Sequence, residues 1–325
     1  MSGPPTEPAP AGAPAGSRTE AVTAAPLLIV GAPRSGTTWL QNALLRDRRV
    51  CGGQESHFFV SFGQLIRKFD RGLASGRPHG LGFYWTRRQM LHHVRAAWRD
   101  AAGVVAGGRP EATLLLEKTP DHARFLPEIA EVLPAARVVH VVRDGRDVAA
   151  SLIGAYEAGW GRDWAPRNPA AAARMWARHV RPARVAGAGL PAGRYLEVRY
   201  EDLRADRDAV LAGVYRFVGL AEPTAEDLAG AAPGHQFDVH GEAAATEYAE
   251  PAGFSRDASA APRRRLAWWE RRAVELAAGD LLRDLGYPVP GAAAAVAGAA
   301  RTAAAAAKRA VRRSVGPAPA AGAGS

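Results

Sequence analysis

The chain has 325 residues, 47% of them hydrophobic and 23% charged, a mix that buries a sizeable core and excludes wholesale disorder. Aromatic residues make up only 7% and much of the apolar share is alanine, so the core is expected in the few segments rich in Leu, Val, Phe and Trp. The formal net charge is +10, but half of that excess sits at Arg301, Lys308, Arg309, Arg312 and Arg313; the remainder fits an anionic ligand and equally a composition bias.

Residues 1–25 read as a Pro/Ala-rich disordered tail, with no charged stretch leading into an apolar one as a signal peptide requires. Residues 291–325 read as an Ala-rich basic tail, a solvated helix without a partner, with a basic helix around Ala303 to Arg313 that touches anionic lipid or nucleic acid as the alternative. One folded domain is expected between them, over 26–290. Cys51 is the only cysteine, which excludes an intrachain disulfide and a cysteine-based metal cluster and fits a reducing, cytoplasmic setting. No window reaches the roughly 20 strongly apolar residues of a membrane span.

Within the domain, short apolar runs alternate with longer helical stretches. Leu27-Leu28-Ile29-Val30, Leu114-Leu115-Leu116, Val138 to Val142 and Tyr195 to Val198 are brief, apolar on both faces and followed by polar residues, so each predicts a strand. Strands buried on both faces imply a parallel sheet covered by helices, an α/β fold. Ligands bind such sheets at the carboxyl ends of the strands, and the chemically suggestive residues cluster there.

The first strand runs into Gly31-Ala32-Pro33-Arg34-Ser35-Gly36-Thr37-Thr38-Trp39. Two glycines at this spacing fit a phosphate loop, where backbone N–H groups and a helix N-terminus surround an anion, and they also fit an ordinary turn. A nucleotide hydrolase would carry Lys at position 37; Thr stands there, and a cation, Arg34, lies inside the loop. The whole string resembles the 5′-phosphosulfate loop of the sulfotransferases that use 3′-phosphoadenosine 5′-phosphosulfate (PAPS). That resemblance implies a P-loop NTPase-like sheet with helices on both faces, and roles in cofactor binding for Arg34, Ser35, Gly36, Thr37, Thr38 and Trp39. It places Arg34 near the sulfuryl group and Trp39 on adenine.

The run ending at Val142 leads into Arg143-Asp144-Gly145-Arg146-Asp147 and, two helical turns on, Ser151. A guanidinium and a hydroxyl there suit one phosphate, while Arg143 could instead pair with Asp144 or Asp147. The string resembles the family's 3′-phosphate motif, which implies that Arg143 and Ser151 hold the 3′-phosphate of PAPS. His140 reads as a buried, hydrogen-bonded strand residue. Tyr200, in Tyr200-Glu201-Asp202, matches a family segment that contacts adenine; core packing is the other reading.

Sulfuryl transfer needs a base for the acceptor and cations for the leaving oxygen. Glu55 precedes Phe58 and Phe59, which would partly desolvate it, although such a carboxylate also suits a surface loop. Lys118 follows the second apolar run in Glu117-Lys118-Thr119-Pro120. Both strings look like those of the carbohydrate and tyrosyl-protein branches, which implies Glu55 as base, with His57 its rival, and Lys118 and Arg34 at the leaving oxygen. Pro120 stands where the cytosolic branch has its catalytic His, and no metal is implied.

The remaining segment holds Phe254-Ser255-Arg256 and a predicted amphipathic helix from Pro262 to Leu285, with Arg263, Arg264 and Arg265 as a solvated start or, as the resemblance allows, a basic segment closing over the cofactor. The chain is thus identified as a PAPS-dependent sulfotransferase of bacterial character, acting on a hydroxyl or amine of a carbohydrate, glycolipid or secondary metabolite. Segments 60–110 and 155–175 are expected to be the loops that choose the acceptor, and protein tyrosine is the alternative acceptor. A P-loop small-molecule kinase using ATP is the alternative enzyme, opposed by Thr37. A nucleic-acid partner is opposed by the tail position of much of the charge and its lack of interleaved aromatics.

Overall fold

The computed structural model describes residues 26–76, 80–228 and 265–290. The expected tails, the Phe254-Ser255-Arg256 string, Pro262, Arg263 and Arg264 lie outside the described residues. Five strands form one sheet: β1 (Leu27–Gly31), β2 (Val50–Gly52), β3 (Leu114–Lys118), β4 (Arg137–Val142) and β5 (Tyr195–Arg199), in the order β2-β3-β1-β4-β5. Every pairing is parallel, so all carboxyl ends open on one edge.

Four strands follow the predicted runs; β2 was not predicted, because Val50-Cys51-Gly52 is too short to carry a period. Its pairing with β3 from Val50↔Leu114 to Gly52↔Leu116 makes the lead-in to Glu55 a sheet edge, with Cys51 buried. Glu117 and Lys118 also lie inside β3 rather than after it. Successive strand residues point to opposite faces, so these two charges leave the sheet on opposite sides.

Helices cover both faces. Leu27 and Ile29 of β1 pack with Leu40 and Leu44 of α1 (Thr37–Leu45) and Val214 and Val218 of α8 (Arg207–Val218). Leu28 and Val30 pack on the other side with α2 (Phe58–Ala74), α3 (Arg87–Gly107) and α4 (Leu126–Val132). A third apolar cluster joins α5 (Gly145–Glu157), α6 (Pro169–Ala188) and the last described helix, α10 (Trp268–Asp284), around Trp176 and Leu282. The short helices α7 (Tyr200–Ala205) and α9 (Ala225–Leu228) complete the described set. With a loop from β1 into α1, this is the P-loop NTPase-like arrangement expected.

Three expectations change. Segment 60–110 is not a loop but α2, a 3-10 turn at Gly80–Phe83 and α3, an amphipathic pair that buries Phe59, Ile66, Met90, Val94 and Trp98 in the core. Segment 155–175 is a loop only between α5 and α6. The last helix begins at Trp268, with Arg265 exposed and non-helical ahead of it.

Candidate active site

The loop after β1 is shaped by two left-handed residues, Arg34 at φ 73° and Gly36 at φ 97°, the second favouring glycine because it lacks a Cβ. Gly36 is also the N-cap of α1, and no side chain caps that helix. The first N–H groups of a helix have no intrahelical acceptor, so those of α1 open toward the loop with the positive end of the helix dipole behind them. Ser35 is fully buried and its Oγ has no hydrogen-bond partner among the described residues. Thr37 is buried under the loop.

Tyr200 lies against this loop. A Cβ on Gly36 would stand 2.4 Å from Tyr200 Cδ2, so the glycine is required twice, by its φ and by the ring. The Arg143 guanidinium lies 4.3 Å above the Tyr200 ring, and its Nη1 donates to the Arg34 carbonyl at 3.1 Å. Arg34 Nε donates to Ser151 Oγ at 3.0 Å, and the Arg34 guanidinium lies 5.1 Å from the Trp160 ring centre. Arg143 and Ser151 were expected to close on one anion apart from the loop. Instead Arg34 links them, so the two expected phosphate positions form one surface. Arg143 also comes within 3.9 Å of Asp147.

Sequence reasoning missed what holds this half. The Trp176 indole donates to the Arg143 carbonyl at 3.1 Å, and a Cβ on Gly145 would stand 2.7 Å from that ring. Glu201 accepts from the Asp144 N–H at 2.9 Å and from Tyr287 Oη at 3.0 Å, tying the end of the described chain to the turn. Trp176 lies in no motif, and Glu201 was noted only as part of the Tyr200-Glu201-Asp202 string, so tertiary contact alone reveals these roles.

On the other side of β1, Lys118 has no exposed side-chain surface. Its Nζ donates to Thr38 Oγ1 at 3.2 Å and to Glu55 Oε1. Burial pushes the Lys118 ammonium below its ordinary pKa, and the Glu55 charge opposes that. Glu55 is one-third exposed. Phe58 and Phe59 turn into the core rather than over the carboxylate, so the expected aromatic desolvation is replaced by the Lys118 contact. His57, the rival base, is exposed, with Nε2 3.6 Å from Glu55 Oε2.

Trp39 is half-buried against the α1–α8 apolar cluster. His140 matches its expectation: it is fully buried, with Nδ1 2.6 Å from Tyr195 Oη, and burial lowers its pKa to about 3, leaving it neutral. Among the described residues, no group of three or more His, Cys, Asp or Glu could hold a metal ion. No described helix is long and apolar enough to cross a membrane.

Solved structures that share the fold include two sulfotransferase domains. The sulfotransferase domain from the Synechococcus PCC 7002 olefin synthase superposes with a TM-score of 0.52 at 22% identity, over 82% of this chain and 95% of that one. The sulfotransferase domain from the curacin biosynthetic pathway gives 0.52 at 16% identity, over 83% of this chain and 100% of the other. No curated protein sequence matches. Residues 26–224, well over half of the chain, match the profile described as the Sulfotransferase family, and the chain belongs to that family.

Proposed function

We propose that the protein transfers a sulfuryl group from PAPS to a hydroxyl or amine, with the phosphate surface and the Glu55–Lys118 pair as the two halves of its site. One contact carries the reading. The Lys118 ammonium bridges the Glu55 carboxylate and Thr38 at the first turn of α1, so the candidate base and the phosphate loop are one ammonium apart.

The residues present fit such a co-substrate. An uncapped helix start, a buried Ser35 hydroxyl without a partner among the described residues and three cations, Arg34, Lys118 and Arg143, surround one loop. In this reading Ser35, Gly36, Thr37 and Thr38 hold the 5′-phosphate, Arg143 and Ser151 the 3′-phosphate, and Tyr200 and Trp39 the adenine. A second phosphate position favours PAPS over ATP, which has no 3′-phosphate to place there, and family membership favours sulfuryl over phosphoryl transfer.

When bound, PAPS supplies the sulfuryl group on a bridging phosphate oxygen that becomes the leaving group. Glu55 takes the proton of the acceptor as the acceptor oxygen or nitrogen bonds to sulfur. Lys118 and Arg34 bind the charge that grows on the bridging oxygen as its bond to sulfur breaks. That charge is largest in the transition state, so their contribution lowers the barrier rather than merely tightening ground-state binding. The acceptors proposed are a carbohydrate, glycolipid or secondary metabolite before a protein tyrosine, within a domain spanning 26–290 in a cytoplasmic setting.

The test is a metal-free titration with 3′-phosphoadenosine 5′-phosphate and, separately, with ADP. Preference for the bisphosphate, lost in Arg143→Ala and Arg34→Ala, is the expected result. Equal affinity for the two would overturn the PAPS reading and restore the kinase.

A further inference from the structure

The four backbone N–H groups that follow Glu55 are each held by a side chain. Ser56 N donates to Glu117 Oε1 at 3.4 Å, His57 N to Thr119 Oγ1 at 3.3 Å, Phe58 N to Ser56 Oγ at 3.2 Å and Phe59 N to His122 Nε2 at 3.0 Å. The holders are joined to one another. Glu117 Oε1 accepts from Ser56 Oγ at 2.8 Å and from Thr119 Oγ1 at 2.6 Å, and Glu117 Oε2 lies 2.8 Å from His122 Nδ1. Because His122 Nε2 accepts from Phe59, its proton belongs on Nδ1, facing the carboxylate. Glu117 and His122 are both buried. Burial alone would raise the Glu117 pKa; His122 and the bonds from Thr119 and Ser56 outweigh it and lower it, so the anion at the centre of the network is stable.

This network does for α2 what a cap side chain normally does. His57, the N-cap of α2, makes no side-chain cap bond and sits in the left-handed region at φ 49°, a conformation that costs energy in a non-glycine residue and persists where its surroundings enforce it. The alternation of β3 explains how one strand does this. Lys118 leaves one face of the sheet and grips the Glu55 carboxylate, while Glu117 leaves the other and grips the backbone just after it.

We infer that Glu117, Thr119, His122 and Ser56 form a clamp that positions Glu55 against Lys118, with His122 a positioning residue rather than a catalytic one. This rests on the reading of Glu55 as the base. The clamp turns the carboxyl end of β3 into a two-sided grip, fixing the carboxylate through its side chain and through the main chain that follows it.

The test combines two measurements on the full chain. Backbone amide exchange should show protection at 56–59 falling by about 10-fold in His122→Ala, the size of one lost hydrogen bond, with β1 and β4 unchanged. His122→Gln, which returns an acceptor near the Nε2 position, should restore most of it. Release of 3′-phosphoadenosine 5′-phosphate from PAPS, which counts transfer to any hydroxyl including that of water, should fall about 10- to 100-fold in kcat for His122→Ala, as misplacement by about 1 Å does, and recover in His122→Gln. In a Glu55→Gln background, His122→Ala should cost less than about 2-fold more, because coupled residues are not additive. A full additive loss there, unchanged exchange at 56–59, or loss of protection across the whole sheet would overturn the clamp. If Glu55→Gln alone leaves turnover intact, the base assignment falls, and the clamp's purpose with it.

Discussion

The two sides of β1 are built differently. On the β4 side, the loop, Arg34, Arg143, Ser151 and Tyr200 meet through ring stacking, close glycine contacts and hydrogen bonds to main chain. On the β3 side, the buried Lys118 meets Glu55 on one face of the sheet and the buried Glu117 meets His122 on the other. In the proposed function the first side holds the phosphates and lends Arg34 to the leaving oxygen. The second sets one carboxylate against one ammonium, the pair to which the proposed function gives proton removal and leaving-group stabilisation. Binding and chemistry are therefore expected to separate along the central strand.

The sharpest break of that division is Glu55→Gln, which should lower PAPS turnover about 10²- to 10⁴-fold, the range for a lost general base, while affinity for 3′-phosphoadenosine 5′-phosphate stays within about 2-fold. A parallel loss of affinity would mean that the two sides are not separable.

Gly36→Ala should do the opposite first. Its Cβ would meet Tyr200 at 2.4 Å at a φ of +97°, so a destabilisation of about 1–3 kcal/mol from overpacking, with loss of bisphosphate binding, is expected in urea unfolding and calorimetry. Arg143→Ala should weaken the bisphosphate by about 1.5–3 kcal/mol, the worth of a charged hydrogen bond, and leave ADP unchanged; equal weakening of both would remove the 3′-phosphate from Arg143.

The smallest effect concerns the strut between the sides. Asp121, in the 3-10 turn after β3, lies 3.1 Å from His179 of α6, and that bond lowers its pKa from 3.8 to about 2. A carboxylate lowered by folding stabilises the fold above its unfolded value, and the contribution is lost as pH falls from about 3.8 through about 2. With the side chain one-third exposed, about 1 kcal/mol is expected after solvent screening. Asp121→Asn should flatten that acid limb in urea unfolding between pH 5 and pH 2, and an unchanged slope would take the strut out of the account.

Much of the β4 side was legible beforehand, because an apolar run followed by glycines and cations is a local pattern: Arg34, Arg143, Ser151 and Tyr200 were each named from a contiguous string, and they meet. The β3 side was half legible. Glu55 and Lys118 were named and do touch, but the aromatic desolvation assigned to Glu55 was misplaced, since Phe58 and Phe59 follow the apolar face of α2 into the core. Segment 60–110 was misread as loop because charged residues punctuate the apolar period of α2 and α3.

The sequence by itself determined the parallel α/β class, four of the strands and the glycine-bracketed loop after β1, since each depends on neighbours within a turn or two of chain. Only the tertiary structure decided that Arg34 joins Ser151 to Arg143, that Lys118 is buried between Thr38 and Glu55, and that Glu117 and His122 hold the backbone after Glu55. Those pairings span from 61 to 117 positions. The order of the strands decides them, by bringing the carboxyl ends of β2, β3, β1 and β4 to one edge, and so does the pleat of β3, which sends two adjacent charges to opposite faces.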